Sequence, residues 1–379
     1  MNSFITTLYP SVDLIDSVVF KDTNSEENIY FSKPFLKAFE ISNPQIEFKY
    51  ISISDADKNT LALALVQVIS LNVEGMLKNI KVAPLVRKGL GLLFCNEHIK
   101  IMFCGNVFLS GEHGISTAET SSKKDIYSEI GTALDAVAAN TKPMHAIFIK
   151  DFKLASLVHT QEFLNFGYSE IKVEPNMIIQ LKPEWKTFED YKNILKSKYR
   201  VKANKADSKS STLETRLFSD QDLETYKHEL QALYQNTIDK ASFNAQVLNL
   251  DTYSHLSASL KDNFIVKGYF LENRLVGFLT ALVNDNKLDA HFIGLDYELN
   301  KSHAIYPRIL NDYIRIGIEK QVDSINLGRT ASEIKTTIGA NPLELSCYIK
   351  HKNPFLNSLV KPFLRRIKIK EFKQHAPFK

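Results

Sequence analysis

The sequence of 379 residues has few cysteines, no apolar run long enough to cross a membrane, and little net charge. Its three cysteines, Cys95, Cys104 and Cys347, show no CxxC spacing and no neighbouring histidine cluster, which disfavours a disulfide framework or a zinc site. The apolar stretch TLALALVQVISLNV has about fourteen residues, whereas a membrane-spanning helix needs about twenty. A net charge of +4 does not by itself identify a nucleic-acid-binding protein.

The composition, with 44% hydrophobic and 24% charged residues, is typical of a soluble globular protein. A chain of this length is expected to fold into two or three domains. The first residues, MNSFITTLYPSVDL, lack the charged region and apolar run of a secretory signal peptide, and unpaired cysteines suit a reducing compartment. We therefore expect a cytoplasmic protein without a metal cofactor.

Apolar periodicity predicts alternating strands and helices in both halves of the chain. In the first half it predicts a helix around 34–41, strands at 46–55 and 61–70, an irregular insert at 79–89, two apolar runs around a turn at Asn96-Glu97-His98, a helix at 125–140 and a strand at 145–152. In the second half it predicts hairpin turns at Asn273 and at 284–286, a strand ending at Gly294, a polar loop, a helix from Ile305 to about Lys320, and a strand at 324–327. The junction between the halves has a helical rhythm over 188–206 and a loop at 207–211.

The two halves align with each other. Gly105 and Gly294 are 189 residues apart, Tyr127 and Tyr306 are 179 apart, and His145 and Asp323 are 178 apart. The helix and the following strand therefore keep register, and the second loop is about ten residues shorter. This pattern favours an internal duplication of one α/β unit over a chance match of two generic strand–helix–strand units. We predict a first domain over residues 1–185 and a second over residues 186–379.

Three segments carry a family resemblance: LKSKYRVKANKA at the junction, GYFLENRLVGFLTALVNDNKLDAHFIGLD in the second half, and NLGRTASEIKTTIGANPLELSCY after it. Over residues 28–350 the sequence resembles the acetyltransferase-like proteins grouped with the FemAB peptidyltransferases, which carry two tandem GNAT-type domains. The resemblance implies an α/β (α+β) fold with two tandem GNAT-like domains, each a mixed sheet flanked by helices.

The resemblance also implies an activity: acyl transfer from acyl-CoA, or a similar activated donor, to a small-molecule or lipid-linked amine. FemAB-like proteins imply a second option, aminoacyl transfer from charged tRNA, and a non-catalytic binding protein that keeps the fold is a third. Standard GNAT enzymes carry an Arg/Gln-x-x-Gly-x-Gly/Ala run before the central helix, but the matching segment here, ELNKSHAIYPRIL, has no glycine. The first copy lacks the Gly-Arg-Thr of the second, so we expect the second copy to be the active one.

The start of the Ile305 helix is the first candidate site. Free N–H groups and the positive end of the helix dipole can hold a phosphate there, with Lys301, Ser302 and His303 beside it. A capped helix with a solvated loop is the alternative. GNAT-type mechanisms imply that Tyr306 is the acid that protonates the leaving thiolate, although a buried helix tyrosine is commoner. Asn311 is interpreted as a ligand contact or as an exposed residue.

The Gly-Arg-Thr motif is the second candidate site. Gly328 allows close backbone approach, Arg329 suits a phosphate or carboxylate, Thr330 or Ser332 can cap a following helix, and Lys335 adds positive charge. A structural pair between Arg329 and Glu333 is the alternative. The candidates for the general base are His291, Asp296 and Glu333, although His291 also fits a core strand position.

Two basic segments suggest partners. The junction lysines and arginine fit RNA or carrier phosphates, or else a solvated helix face: Lys196, Lys198, Arg200, Lys202 and Lys205. From Lys350 to Lys379 there are nine Lys/Arg and one acid, with Phe355, Leu359, Phe363 and Ile367 at helical spacing. This tail predicts peripheral contact with an anionic membrane or an acidic partner, or packing on the body of the protein.

Overall fold

A computed structural model describes residues 4–23, 28–72, 98–119, 123–241, 244–364, 369 and 371–379. The strands are β1 (Ile5–Tyr9), β2 (Glu47–Ser54), β3 (Thr60–Asn72), β4 (His98–Cys104), β5 (Ile115–Thr117), β6 (Ala146–Lys153), β7 (Ser169–Gln180), β8 (Glu214–Leu217), β9 (Phe264–Leu271), β10 (Arg274–Asn284), β11 (Lys287–Leu295), β12 (Ser324–Asn326) and β13 (Asn341–His351). The insert predicted at 79–89, Cys95, and Asn96 and Glu97 of the predicted turn lie outside the described residues.

The α-helices are α1 (Ser17–Asp22), α2 (Lys33–Ser42), α3 (Lys123–Asn140), α4 (Leu157–Thr160), α5 (Phe188–Ile194), α6 (Ser197–Lys209), α7 (Asp220–Thr225), α8 (Lys227–Lys240), α9 (Asp251–Leu260), α10 (Tyr297–His303), α11 (Ile305–Glu319), α12 (Ser332–Thr336) and α13 (Pro354–Leu364). Short 3-10 helices cover Val12–Leu14, Ile29–Phe31, Leu154–Ser156, Gln161–Phe166 and Lys261–Asn263. Among the described residues, no helix is both long and apolar enough to cross a membrane.

The chain forms two compact units. Unit 1 comprises Met1–Val173, Ser242–Leu248 and Glu344–Ile369, and unit 2 comprises Glu174–Ala241, Asn249–Leu343 and Lys370–Lys379. The sheet of unit 1 has the order β1-β2-β3-β4-β6-β13, with β5 also paired to β3. Only the β4–β6 pair in this order is parallel among the pairings described. Helix α3 packs on this sheet through apolar residues spaced three and four apart, including Ile126, Ile130 and Leu134.

The sheet of unit 2 repeats this plan in the order β8-β9-β10-β11-β12-β7. The β11–β12 pair is parallel, and the other pairs described are antiparallel. Helix α11 packs on the sheet through Ile305, Ile309 and Ile316, as α3 does in unit 1. The predicted internal duplication therefore appears as the same strand order and the same single parallel pair in both units.

The last strand of each sheet comes from the other half of the sequence. Strand β7 follows β6 along the chain but pairs with β12 in unit 2, and β13 follows β12 but pairs with β6 in unit 1. The contact-defined units differ from a single division at 185/186 in three places. Residues 174–185 lie in unit 2, whereas residues 242–248 and 344–369 lie in unit 1. Strand pairing is set by long-range contacts, which the local sequence pattern does not reveal.

Two local predictions about the junction are wrong. The helical rhythm over 188–206 is broken at Leu195, whose ψ of 140° is extended, so two helices form instead of one. The loop predicted at 207–211 begins later, because α6 continues to Lys209. Ser208 and Lys209 are exposed at the end of this helix, whose buried side consists of Tyr199, Ala203 and Ala206.

The polar loop predicted after Gly294 is also wrong, because it forms helix α10. Asp296 caps this helix by accepting hydrogen bonds from the N–H groups of Glu298 (3.0 Å) and Leu299 (3.2 Å). Ala304, with φ 48° and ψ 42°, then separates α10 from α11. The predicted helix start at Ile305 is correct.

Candidate functional site

A cavity of about 500 Å³ lies inside unit 2, between α6, α12 and the α10–α11 corner. Four lysines line it: Lys202, Lys205, Lys209 and Lys301. The remaining lining is mostly apolar: Leu195, Tyr199, Ala203, Ala206, Ala304, Pro307, Leu310, Ile334 and Ile338, with the polar residues Asn300, Asn311 and Thr337. Cationic side chains above an apolar floor suit an amphipathic anion. We call this space the α6–α11–α12 cavity.

The wall between α6 and α11 is fixed by buried polar contacts. The Asn311 Nδ2 atom donates to the carbonyl oxygen of Ala203 and to Asp207 Oδ1, each at 3.0 Å. Arg315 pairs with Asp207 Oδ2 at 2.5 Å. Asn311 lines the cavity but is 2% exposed, so the expectation of an exposed residue is wrong. Both donors of its amide are used to hold α6 in place.

A buried carboxylate on α11 has no counterpart in the sequence predictions. Asp312 is 0% exposed and accepts hydrogen bonds from Lys267 Nζ (3.0 Å), Arg308 Nε (2.9 Å), Arg315 Nη1 (2.6 Å) and the Tyr269 hydroxyl (2.9 Å). Burial alone would raise the pKa of Asp312, but the charges and hydrogen bonds of Lys267 and Arg308 hold it below its usual range. The carboxylate therefore stays ionised and ties α11 to β9. Its spacing to Arg308 and Arg315 on one helix face was the signal available in the sequence.

The start of α11 is less open to anions than its sequence suggested. The backbone N–H of Tyr306 donates to Asn300 Oδ1 at 2.8 Å. Ser302 Oγ donates to the carbonyl oxygen of Leu299 and lies 2.9 Å from His303 Nδ1. Ser302 is exposed, and His303 is half-buried. A phosphate here would be held by the side chains of α6 and Lys301 more than by the helix terminus.

Tyr306 packs against the core of unit 2 and is half-buried. Burial raises the pKa of its phenol above the ordinary value. The hydroxyl therefore remains protonated at neutral pH and keeps the proton that a departing anion would need. Its neighbour Pro307 lines the cavity, whereas Tyr306 is not among the lining residues.

The loop after β12 holds the Gly-Arg-Thr motif in an unusual backbone conformation. Gly328, Thr330 and Ala331 all have positive φ, at 69°, 62° and 46°. Neither Thr330 nor Ser332 caps α12, because Ala331 occupies the cap position without a side-chain hydrogen bond. The predicted capping role is therefore wrong, and Thr330 is exposed while Arg329 is half-buried.

Lys335 stabilises this loop. Its Nζ atom donates to the carbonyl oxygens of Leu327 (2.7 Å), Gly328 (3.3 Å) and Arg329 (2.6 Å). An ammonium has three donors, and these carbonyls take all three. Burial lowers the pKa of Lys335 to about 7, and the Glu174 carboxylate opposes this shift. The structure thus gives Lys335 a role in holding the loop, whereas the sequence suggested an anion contact.

The three candidate bases are not brought together. Asp296 caps α10 and pairs with Arg274 at 3.0 Å. Glu333 is exposed, and its Oε1 atom lies 3.5 Å from His375 Nε2. His291 lies at an irregularity in the β10–β11 pairing, where His291 and Phe292 face the single residue Thr280.

That irregularity is a β-bulge, a feature often found beside active sites. The Thr280 hydroxyl fixes it by donating to the carbonyl oxygen of Phe292 (2.9 Å) and accepting from the Phe292 N–H (3.0 Å). The His291 ring lies 6.2 Å from the Tyr253 ring. His291 is half-buried and lies in strand β11. Of the three candidate bases, it is the one that belongs to a strand.

In unit 1 the segment that follows β4 is held against the end of β6. Lys150 Nζ donates to the carbonyl oxygens of Asn106 and Leu109, each at 2.8 Å. The N–H of Gly111 donates to Asp151 Oδ2 at 3.1 Å. Residues 105–111 therefore cover the carboxyl ends of the parallel β4–β6 pair. The two described cysteines, Cys104 and Cys347, are buried in this unit, where the Cys347 thiol donates a hydrogen bond to Asp151 Oδ1 at 3.2 Å.

The basic tail is divided between two places. Helix α13 belongs to unit 1, where Phe355 is 71% and Leu359 49% exposed. The side chain of Phe363 and residues Arg365, Arg366, Ile367, Lys368 and Lys370 lie outside the described parts. Residues 371–379 belong to unit 2. Packing on the body therefore holds for the last nine residues, while α13 keeps an exposed apolar stripe. In the described residues, no group of three or more His, Cys, Asp or Glu is placed to hold a metal ion.

No family model and no curated protein matches the sequence. Solved structures do match in fold. FemX has 10% identity and a TM-score of 0.56, covering 92% of this chain and 99% of FemX. A tandem GNAT protein from the clavulanic acid biosynthesis pathway has 8% identity and a TM-score of 0.53, covering 93% and 99%. L-PGS from Bacillus licheniformis has 10% identity and a TM-score of 0.51, covering 93% and 97%. These likenesses confirm the predicted fold of two tandem GNAT-like units.

Proposed function

We propose that the chain is an acyltransferase whose second unit binds an anionic acyl donor in the α6–α11–α12 cavity and transfers the acyl group to an amine. The observation that carries this proposal is the cavity itself, with four lysines around an apolar floor at the start of α11. The names of similar folds are consistent with this chemistry. One is the tandem GNAT protein, whose name mentions AcCoA, and another is the C-terminal domain of a putative lysylphosphatidylglycerol synthetase from Agrobacterium fabrum (9% identity, TM-score 0.52).

Acyl-CoA is the first candidate donor. Its phosphates would meet Lys202, Lys205 and Lys209, and its apolar arm would lie along Leu310 and Ile338. Point charges on flexible stems can hold phosphates without a glycine-rich loop. This arrangement would account for a donor site in a segment that has no glycine and whose Tyr306 N–H is already used by Asn300.

Charged tRNA is the second candidate donor, and the surface of α6 favours it. This helix carries Lys198, Lys202, Lys205 and Lys209, so its row of positive charge extends beyond the cavity. A polyanion can use such a row, and its binding would weaken steeply with salt. The closed start of α11 also removes a reason to prefer a pyrophosphate at that point.

The residues of unit 2 supply parts of an acyl transfer. The amine attacks the acyl carbon, the bond to the leaving group breaks, and the leaving group departs with the electron pair. Tyr306 would give its proton to that group, and the amine would lose a proton to a base. His291, beside the β10–β11 bulge, and Glu333, beside His375, are the candidate bases that no helix cap employs. Bringing the reactants together would supply much of the acceleration.

The donor proposal is tested by reversing charge on the cavity wall. We expect Lys202→Glu with Lys205→Glu to abolish the thermal stabilisation that the correct donor gives to the wild-type chain. Lys287→Glu is the matched control, because Lys287 is an exposed lysine of unit 2 outside the cavity lining. Acyl-CoAs and charged tRNA are compared at two salt concentrations. Equal stabilisation of the double variant and the wild type would contradict the proposal.

We also propose that the amine acceptor is linked to a lipid and that the protein meets it at a membrane surface. An exposed Phe355–Leu359 stripe on a basic segment fits the surface of an anionic membrane, where a lipid-linked amine would be presented. Co-sedimentation with vesicles of phosphatidylglycerol and of phosphatidylcholine tests this idea. Binding to the anionic vesicles should be lost in Phe355→Glu, and equal binding to both vesicle types would argue against it.

A further inference from the structure

We propose that residues 371–379, the C-terminal strap, form part of the donor site by holding two walls of the α6–α11–α12 cavity, and that His375 positions Tyr199 in one of them. This inference rests on the proposed function only in naming the ligand of the cavity. The contacts that carry it all lie within unit 2.

The strap forms hydrogen bonds with the junction of α5 and α6. The N–H of Lys196 donates to the carbonyl oxygen of Pro377 (2.8 Å), and Lys196 Nζ donates to that of Ala376 (2.9 Å). Lys379 returns two bonds, from its N–H to the carbonyl oxygen of Ile194 (3.0 Å) and from Nζ to that of Asn193 (2.8 Å). Leu195, a lining residue of the cavity, forms a β-bridge with Phe378. Residues 376–379 are thus fixed where α6 begins.

The strap also contacts α12, which forms the second wall of the cavity. The N–H of His375 donates to Thr336 Oγ1 at 3.1 Å. The ring of Phe378 covers Gly339, where any Cβ would collide with it and where φ is 97°. Glycine is required at this position for both reasons. The lining residues Ile334, Thr337 and Ile338 lie on the same short stretch, so their placement depends on the strap.

His375 connects the two walls through its ring. Its Nδ1 atom lies 3.2 Å from the hydroxyl of Tyr199 on α6, and its Nε2 atom lies 3.5 Å from Glu333 Oε1 on α12. The His375 side chain is 12% exposed, and Tyr199 is 9% exposed and lines the cavity. Lys198 and Lys202 lie over the Tyr199 ring, at 5.8 and 5.7 Å.

We assign the His375 proton to Nε2, which faces the Glu333 carboxylate, so that Nδ1 accepts a hydrogen bond from the Tyr199 hydroxyl. The lone pairs of the Tyr199 oxygen are then free to accept from a ligand. The strap therefore sets the orientation of a polar group in the cavity wall, the Tyr199 hydroxyl, through His375. Gln374, the neighbour of His375, contacts Asn341 (3.2 Å) and no lining residue in the described contacts, so it provides a matched control.

Hydrogen–deuterium exchange on the full chain tests the role of the strap. Stopping the chain after Lys370 should speed exchange at least tenfold in residues 195–209 and 332–340 and leave β9 and β10 unchanged. Phe378→Ala should do the same more weakly, whereas Gln374→Ala should match the wild type. If the deletion also speeds exchange in β9 and β10, the exchange rates of Phe378→Ala are the test of the proposal. Unchanged exchange of both walls in Phe378→Ala, or in a deletion that leaves the sheet intact, would overturn the proposal.

Binding of anilinonaphthalene sulfonate tests His375. Its aromatic rings and sulfonate match the apolar floor and the lysines, and its anilino N–H is a donor that the Tyr199 oxygen can accept. His375→Ala and Tyr199→Phe should each weaken binding about two- to tenfold, the usual weight of one hydrogen bond. The double variant should bind the dye no more weakly than the single variant with the lower affinity. His375→Asn, whose amide can occupy the Nδ1 position, should restore binding to within about twofold. Additive effects, or no rescue, would show that His375 does not act through Tyr199.

The two hypotheses fail separately. If neither acyl-CoA nor charged tRNA binds the wild type while exchange and dye binding behave as expected, the donor assignment fails and the role of the strap stands. If a donor binds and the Phe378→Ala walls keep wild-type exchange, the donor site stands and the role of the strap fails.

Discussion

At the scale of single residues, two buried ionisable groups in unit 2 stabilise the framework around the cavity. Asp312 collects three cations on α11 and β9, and Lys335 holds the loop after β12 by three carbonyls. Their placement follows from burial: a charge removed from water must have its hydrogen bonds supplied by the protein. Both residues are therefore expected to affect stability before they affect chemistry.

Replacing Asp312 should be severely destabilising. Asp312→Asn keeps the shape but leaves Lys267, Arg308 and Arg315 without their shared carboxylate, and breaking such a buried set costs about 3–5 kcal/mol. Urea unfolding of the variant measures this change in the free energy of unfolding. Asp262→Asn, at an exposed carboxylate of the same unit, should change it by less than about 0.5 kcal/mol. A similar small loss in both variants would contradict the role given to Asp312.

The lowered pKa of Lys335 predicts that the free energy of unfolding rises with pH. Burial lowers its pKa to about 7, against 10.5 for an ordinary lysine. Between these pH values the unfolded chain binds more protons than the folded chain, so the contribution of Lys335 to the free energy of unfolding rises with pH across that window. Lys335→Met should remove this rise. Unfolding curves from pH 6 to pH 10 for both proteins provide the measurement, and parallel pH profiles would contradict the shifted pKa.

At the scale of elements, the corner between α10 and α11 determines which groups can face a ligand in the cavity. Asp296 caps α10, Ala304 turns the chain in a left-handed conformation, and Asn300 Oδ1 accepts the backbone N–H of Tyr306. A glycine-rich loop that presents open amides would need a different backbone at this corner. Positive charge in the described cavity lining comes instead from lysines on α6 and α10.

A conservative change separates the two roles considered for Asp296. Asparagine caps helices as well as aspartate does but cannot serve as a general base. Asp296→Asn should therefore keep transferase activity within about threefold, whereas Asp296→Ala should lose about 1 kcal/mol of stability because the α10 cap is removed. Steady-state kinetics and urea unfolding give both numbers. Loss of activity in Asp296→Asn with unchanged stability would identify Asp296 as the base.

Local sequence patterns predicted most of these elements because they depend on neighbours in the chain. The alternation in β2 and β3 and the helical spacing in α3 and α11 place apolar residues on one face, and these elements formed where expected. Helix α10 was missed because it has no buried residues, so its stability comes from the Asp296 cap and not from an apolar stripe. Long-range contacts, such as His375 on Tyr199 or Lys335 on the Leu327 carbonyl, leave no periodic signal in the sequence.

At the scale of the whole molecule, a repeated unit has diverged in its details. Both units have the same sheet order, and each takes its last strand from the other half of the sequence. In unit 1 the segment after β4 is bound to Lys150 and Asp151, whereas unit 2 has a cavity beside the start of α11. This difference supports the proposal that the second unit binds the donor.

Titration calorimetry of the full chain with acyl-CoAs and with charged tRNA, on the wild type and on Ala206→Trp, tests the central claim most directly. Ala206 is buried in the cavity wall, so an indole there would fill the space without removing a charge. We predict that the wild type binds one of the two donor classes and that Ala206→Trp, with an unchanged melting temperature, binds it at least tenfold more weakly. Binding of neither class to the wild type, or equal binding by the folded variant, would contradict the claim.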